Sequence, residues 1–123
     1  MALKKILLVD DAETILLMEQ MFLSKGAYDF VTAKDGEEAV ELAQSELPDL
    51  ILLDVVMPKL DGFQACAQLR KSAATSGIPI IMVTTRGEGA NVERGFESGA
   101  TDYITKPING LELLSKVKSY LGD

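Results

Sequence analysis

The stretch Leu50-Ile51-Leu52-Leu53 is apolar on both faces and is followed at once by an acidic residue, Asp54. Continuous apolar runs of this length are typical of strands buried between two layers of helices. Similar runs occur at 6–9 and 80–83, and weaker extended stretches lie at 28–33 and 102–105. The chain is therefore predicted to form five strands.

Segments with helical periodicity alternate with these strands. The predicted core-facing stripes are Ile15, Met18 and Phe22; Val40, Ala43 and Leu47; Phe63, Cys66 and Leu69; Val92 and Phe96; and Leu114, Val117 and Leu121. Asp35 and Asp61 fall near predicted helix starts, and Gly26 and Gly99 fall where C-terminal caps belong. Alternating strands and helices predict an α/β fold in three layers, with a five-stranded parallel sheet in the flavodoxin-like order 2-1-3-4-5 and five helices.

Length and composition limit the possible functions. A chain of 123 residues is the usual size of one domain, and the net charge of −7 disfavours direct binding to nucleic acids or to anionic membranes. The absence of histidine excludes imidazole acid–base catalysis, and the single cysteine, Cys66, is expected to serve packing. We expect one domain over 1–123, and the initiating Met1 and an ending just after the predicted fifth helix favour a chain that stands alone. A single cysteine, with no visible leader or membrane-spanning run, predicts a cytoplasmic protein.

Polar residues follow four of the predicted strands. Asp10 and Asp11 follow the first, Asp54 the third, Thr84 and Thr85 the fourth, and Lys106 the fifth. In the predicted order these strands are neighbours, and ligands of such sheets bind at the carboxyl ends of the strands. We therefore expect these side chains to converge at one edge of the sheet.

The residue types at this edge indicate a site for phosphoryl transfer. Three carboxylates close together repel one another, at about 4 kcal/mol for two charges ~4 Å apart at an effective dielectric near 20. A hard divalent cation such as Mg²⁺ relieves that repulsion and binds phosphate as well. A lysine, a hydroxyl donor and a carboxylate nucleophile complete the set. Taken singly, each residue is more often a helix cap, a strand-end hydroxyl or a loop residue, so the prediction depends on their conjunction.

The motifs at these positions resemble those of the receiver domains of two-component response regulators. They are Leu7-Leu8-Val9-Asp10-Asp11, the segment 53–62 (LDVVMPKLDG), Val83-Thr84 and Tyr103-Ile104-Thr105-Lys106-Pro107. The resemblance extends from about Lys5 to Leu121. It implies a signalling phosphoacceptor, similar to chemotaxis regulators, rather than a turnover enzyme.

Several residue roles are implied by this resemblance. Asp54 would be the phosphoacceptor, and Mg²⁺, with Mn²⁺ as a possible substitute, would be bound by Asp54, by Asp11 directly and by Asp10 mainly through water. The backbone carbonyl of Val56 would be a further ligand. Thr84 would bind a phosphoryl oxygen.

The remaining implied roles concern the switch and its partners. Lys106 would bind a second phosphoryl oxygen and form a cis peptide with Pro107, and Tyr103 would turn inward when Thr84 moves toward the phosphate. The donor would be a histidine kinase or a phosphotransfer domain. A downstream protein would bind the fourth helix, fifth strand and fifth helix, roughly Gly89 to Leu121.

Two positions depart from what many family members carry, namely Val56 and Arg86. The resemblance implies that these side chains modulate the rates of phosphorylation and hydrolysis. Val56 offers no hydrogen bond to orient water, and Arg86 has no acceptor. We therefore expect slow self-dephosphorylation.

Three alternative functions are less well supported. An aspartyl-phosphate phosphatase of the haloacid dehalogenase type would have an acidic residue two positions after the nucleophile, where this chain has Val56. A flavin or nucleotide carrier would need a phosphate-binding loop after the first strand, where this chain has Asp10 and Asp11. A degenerate receiver that accepts no phosphate would lack part of the residue set, which is complete here.

Overall fold

The computed structural model describes residues 3–57, 59–85 and 89–122. Its strands are β1 (Lys4–Val9), β2 (Tyr28–Ala33), β3 (Leu50–Asp54), β4 (Ile80–Thr85) and β5 (Asp102–Lys106). Its helices are α1 (Glu13–Leu23), α2 (Gly36–Glu46), α3 (Gly62–Lys71), α4 (Gly89–Ser98) and α5 (Gly110–Leu121). All strand pairs are parallel, in the order β2-β1-β3-β4-β5, so the predicted flavodoxin-like fold is confirmed.

Helices cover both faces of the sheet because its central strands are apolar on both sides. One core contains Leu7, Ile51 and Met82 from the sheet together with side chains of α2 and α3. The other contains Leu8, Leu52 and side chains of α1 and α5. Every residue of β3 is buried, so Asp54, the last of them, lies at the centre of one end of the sheet.

The predicted helix starts are confirmed at both aspartates. Asp35 Oδ1 accepts a hydrogen bond from Glu38 N at 2.8 Å, and Asp61 Oδ1 accepts one from Gln64 N at 2.9 Å. Gly99 follows α4 with φ +109°, a backbone conformation that glycine adopts without steric cost. α1 ends earlier than Gly26, which donates its N–H to the carbonyl of Leu23 at 3.0 Å.

Four predicted stripes differ from the structure. In α5 the buried residues are Leu113 and Val117, whereas the predicted Leu114 and Leu121 are only half-buried. In α1 the buried residues are Leu16, Glu19 and Leu23, whereas the predicted Ile15, Met18 and Phe22 are only half-buried. Leu47 adopts a left-handed conformation after α2 and is exposed, and Phe96 on α4 is also exposed. By contrast, Phe63, Cys66 and Leu69 are buried as predicted, so Cys66 is a core residue and burial raises the pKa of its thiol.

Candidate functional site

The carboxyl ends of β1 and β3 bring three acidic side chains together. Asp10, Asp11 and Asp54 each present a carboxylate oxygen within 4.8 Å of the others. Asp10 and Asp54 are buried, whereas Asp11 is exposed. The predicted convergence of these carboxylates is therefore confirmed.

Local backbone contacts hold Asp54 in place. Val55 N, the next amide, donates to the carbonyl of Val83 at 3.2 Å, and Gly62 N donates to the carbonyl of Val55 at 2.9 Å. A Cβ on Gly62 would collide with the backbone oxygen of Asp54, so only glycine permits this approach of α3. Directly after β1, Asp10 Oδ1 accepts a hydrogen bond from the backbone N of Ala12, the residue that precedes α1, at 2.9 Å.

Lys106, at the end of β5, extends across the sheet to two of these carboxylates. Its Nζ lies 3.2 Å from Asp54 Oδ1 and 3.4 Å from Asp10 Oδ2. Burial lowers the pKa of Lys106, but the charges of Asp54 and Asp10 outweigh burial and raise it overall. Lys106 is therefore a fixed positive charge at neutral pH.

The ionised form of Asp54 is disfavoured at this buried position beside Asp10. Burial, followed by repulsion from Asp10, raises its pKa to about 6, although Lys106 opposes the shift. A bound cation would favour the ionised form, because an opposite charge nearby stabilises it. Perturbed carboxyl groups of this kind concentrate at functional sites.

Two buried polar atoms at the site lack hydrogen-bond partners among the described residues. They are the hydroxyl oxygen of Thr84 and Asp10 Oδ2, whose 3.4 Å contact with Lys106 Nζ is an ion pair and not a hydrogen bond. Buried polar atoms of folded proteins are normally paired, so these two are suited to contact a bound group. Both residues line a cleft of about 270 Å³, together with Asp11, Asp54, Lys106 and Val56.

The donor set fits a hard divalent cation. Three carboxylate oxygens within 4.8 Å of one another, two of them from buried residues, match the oxygen ligands that Mg²⁺ and related ions bind. A single cation here would relieve the repulsion that raises the pKa of Asp54.

The other predicted positions lie around this cleft. Val56 is 71 % exposed at its mouth, so its side chain borders the approach from solvent. Tyr103 lies outside the cleft but shares a narrow slot with Thr84 on the α4 side of the sheet. The peptide bond between Lys106 and Pro107 is cis, as expected. Arg86 lies outside the described residues.

One buried acidic residue near the site was not predicted from the sequence. Glu19 on α1 is 1 % exposed, and its Oε1 has no hydrogen-bond partner among the described residues. Burial, followed by repulsion from Asp10, raises its pKa to about 8. The available signal was its helical spacing between Leu16 and Leu23, which places an acid within an apolar stripe.

Comparisons with known proteins agree with this geometry. The family model described as "Response regulator receiver domain" matches residues 6–118. The alkaline phosphatase synthesis transcriptional regulatory protein PhoP of Bacillus subtilis is 48 % identical over 118 residues, which cover 96 % of this chain and 48 % of that protein. The chain thus spans about half the length of several curated relatives that it matches.

Solved structures share the whole fold. A putative response regulator from Chloroflexus aurantiacus has a TM-score of 0.94 at 35 % identity, covering 99 % of this chain and 100 % of that one. The receiver domain of the sensor histidine kinase PA1611 from Pseudomonas aeruginosa has a TM-score of 0.90 at 30 % identity, again covering 99 % and 100 %. That structure contains a magnesium ion coordinated in its active site cleft.

Proposed function

We propose that this chain, which belongs to the response regulator receiver domain family, accepts a phosphoryl group on Asp54 from a histidine kinase or a phosphotransfer domain. The observation that carries the proposal is the Asp54 carboxylate, which is buried within an acidic cluster and lies 3.2 Å from the ammonium group of Lys106. A carboxylate nucleophile beside a fixed cation is the arrangement that phosphoryl transfer requires. The chain is thus a signalling module rather than a turnover enzyme.

The cation proposed for this site is Mg²⁺, for which Mn²⁺ would substitute. Asp10, Asp11 and Asp54 would hold it, together with the backbone carbonyl of Val56. When bound, the cation neutralises charge on the transferring phosphoryl group.

The protein's own groups then perform the transfer. An oxygen of Asp54 attacks the phosphorus atom of the donor, and the donor's imidazole leaves. Lys106, already within 3.4 Å of two carboxylates, turns to a phosphoryl oxygen as negative charge accumulates there. The hydroxyl of Thr84 donates a hydrogen bond to another oxygen, which gives this orphaned buried group a partner.

The signal is proposed to leave through α4, β5 and α5. Thr84 and Tyr103 line one slot beneath α4, so a movement of Thr84 toward the phosphoryl group changes the space open to the Tyr103 ring. A downstream protein would recognise the resulting surface. The net charge of −7 over the 123 residues disfavours direct contact between this chain and nucleic acid.

The test is phosphorylation by acetyl phosphate, followed by intact-mass spectrometry. Wild-type protein should gain one phosphoryl group with Mg²⁺ or Mn²⁺ and none in EDTA, and Asp54→Asn should gain none at a comparable rate. Asp29→Asn, an exposed aspartate on β2, is the matched control and should behave as wild type. Full labelling of Asp54→Asn would refute the assignment.

The lifetime of the phosphorylated form can be followed in the same samples after the donor is removed. We propose slow decay, because the exposed Val56 side chain borders the cleft and offers no polar group to orient water. The side chain of Arg86, which has no hydrogen-bond acceptor, is also proposed to slow the decay. Val56→Asn, alone or with Arg86→Glu, should shorten the lifetime severalfold, and an equal or longer lifetime would exclude water access as its determinant.

A further inference from the structure

Lys116 on α5 makes three contacts with the start of β5. Its Nζ donates to Asp102 Oδ1 at 3.0 Å and to the carbonyl of Tyr103 at 2.7 Å. The same ammonium lies 5.1 Å from the centroid of the Tyr103 ring. Tyr120 OH donates to the other Asp102 oxygen at 2.9 Å, so the carboxylate that orients Lys116 is itself held from two sides.

The Tyr103 ring therefore has a defined position. Phe96 on α4 meets it edge-on, with ring centroids 6.0 Å apart and planes at 88°. The ring is half-buried between Phe96 and the ammonium group of Lys116. The slot that Tyr103 shares with Thr84, Met82 and Phe96 has no room for a water molecule.

We propose that Lys116 is a positioning residue that holds Tyr103 in this half-buried position and thereby opposes the phosphorylated state. The proposal rests on the proposed function, because it assumes that phosphorylation moves Thr84 and opens the slot to the ring. A ring that turns into the slot leaves the ammonium group of Lys116. A contact made in only one of two states shifts their equilibrium by the free energy of that contact.

The expected size follows from the kind of contact. A cation above a half-exposed aromatic ring changes an equilibrium constant by about two- to fivefold. Loss of the ammonium should therefore make the activated state easier to reach by that factor.

The experiment compares wild type with Lys116→Met, which keeps most of the aliphatic stem and removes the charge. The probe is beryllofluoride with Mg²⁺, and the measurement is its apparent dissociation constant by NMR titration, with the Tyr103 ring signals as the local readout. We expect Lys116→Met to bind beryllofluoride about two- to fivefold more tightly. Lys118→Met, on the same helix, is the matched control and should bind as wild type does.

A second pair of variants separates positioning of the ring from a general structural role. Lys116→Met also loses its bonds to Asp102 and to the Tyr103 carbonyl, so its effect is measured again in a Tyr103→Leu background. If Lys116 acts through the ring, the tightening disappears there. Tightening of equal size without the ring would overturn the proposal.

The remaining outcomes are also decisive. If wild type binds beryllofluoride and Lys116→Met binds equally or more weakly, the role of Lys116 is refuted while the proposed function stands. If wild type does not bind beryllofluoride, the proposed function fails and the role of Lys116 fails with it.

Discussion

Asp54 and Asp102 lie at opposite ends of the same sheet and have opposite electrostatic environments. At the carboxyl end, burial and the neighbouring Asp10 raise the pKa of Asp54 to about 6. At the amino end of β5, burial also raises the pKa of Asp102, but hydrogen bonds from Tyr103 N, Lys116 and Tyr120 outweigh it, and the pKa is lowered.

This difference distinguishes a structural carboxylate from one available for chemistry. Asp102 has its partners within the fold and stabilises it. Asp54 is ionised at a cost that a bound cation would remove. A folded chain tolerates such a cost at few positions, which is why perturbed carboxyls indicate functional sites.

The largest effect on the free energy of unfolding is expected at Glu19, a second buried carboxylate, which lies on α1. Its pKa is raised from 4.5 in the unfolded chain to about 8 in the folded one, so between these values the unfolded chain has already released a proton that the folded chain retains. Stability contributed by this group is therefore fully present below pH ~4.5 and is lost as the pH rises through about 8. Glu19→Gln should remove this loss and raise the free energy of unfolding at pH 8.5 by about 2–4 kcal/mol.

Urea unfolding in EDTA at pH 6.5 and pH 8.5 measures the effect of Glu19. This window lies above the pKa of about 6 of Asp54, so the titration of Asp54 contributes little to it. Glu41→Gln, at an exposed position on α2, is the control and should retain the wild-type loss. An unchanged pH dependence in Glu19→Gln would show that Glu19 does not titrate in this range.

A smaller gain in stability is expected from Asp54→Asn in EDTA. The substitution removes a buried charge that Asp10 repels, and a raised pKa means that stability is lost as the pH rises through about 6. At pH 8 the variant should gain about 1–3 kcal/mol, measured by urea unfolding. Mg²⁺ should stabilise wild type more than the variant, because the cation binds only the folded state and loses one ligand in the variant. A less stable Asp54→Asn in EDTA would contradict the idea of a strained carboxylate.

The smallest effect, and one of opposite sign, is expected from Asp102→Asn. Its contacts with Lys116 and Tyr120 are partly exposed, so their loss should cost only about 0.5–1 kcal/mol. Because the pKa of Asp102 is lowered, its contribution is present above the unfolded value of 3.8 and disappears as the pH falls below it. Thermal unfolding at pH 7 should therefore show a modest decrease, and the difference from wild type should vanish near pH 2. A gain in stability would mean that burial dominates at both ends of the sheet.

Much of the site is predictable from local sequence pattern. The apolar runs at 6–9, 50–53 and 80–83 each lead to a polar residue, and a parallel sheet necessarily brings the carboxyl ends of its strands to one edge. Periodicity and strand order are therefore enough to place Asp10, Asp54, Thr84 and Lys106 at that edge. The cleft and the convergence of charges follow from the same rule.

The face of α1 that packs against the core could not be predicted in this way. Its sequence is apolar on adjacent faces, so a stripe through Ile15, Met18 and Phe22 is as regular as one through Leu16, Glu19 and Leu23. Packing against β1, β2 and α5 selects the second stripe and places Glu19 beneath the site. The rotation of a helix about its axis depends on the surface that it meets, and that surface exists only in the folded protein.

The sequence by itself determined the order of strands and helices and the edge at which the acidic residues meet, because both depend on local periodicity and on the topology of parallel sheets. The resemblance of its motifs indicated the family. Only the tertiary structure decided which carboxyl groups have hydrogen-bond and ion-pair partners and which are buried without them. Lys116 meets Asp102 and Tyr103 across 14 and 13 positions of the chain, and Glu19 approaches Asp10 through the packing of a helix. Such contacts depend on side-chain directions and on burial, which raise or lower a pKa only after the chain has folded.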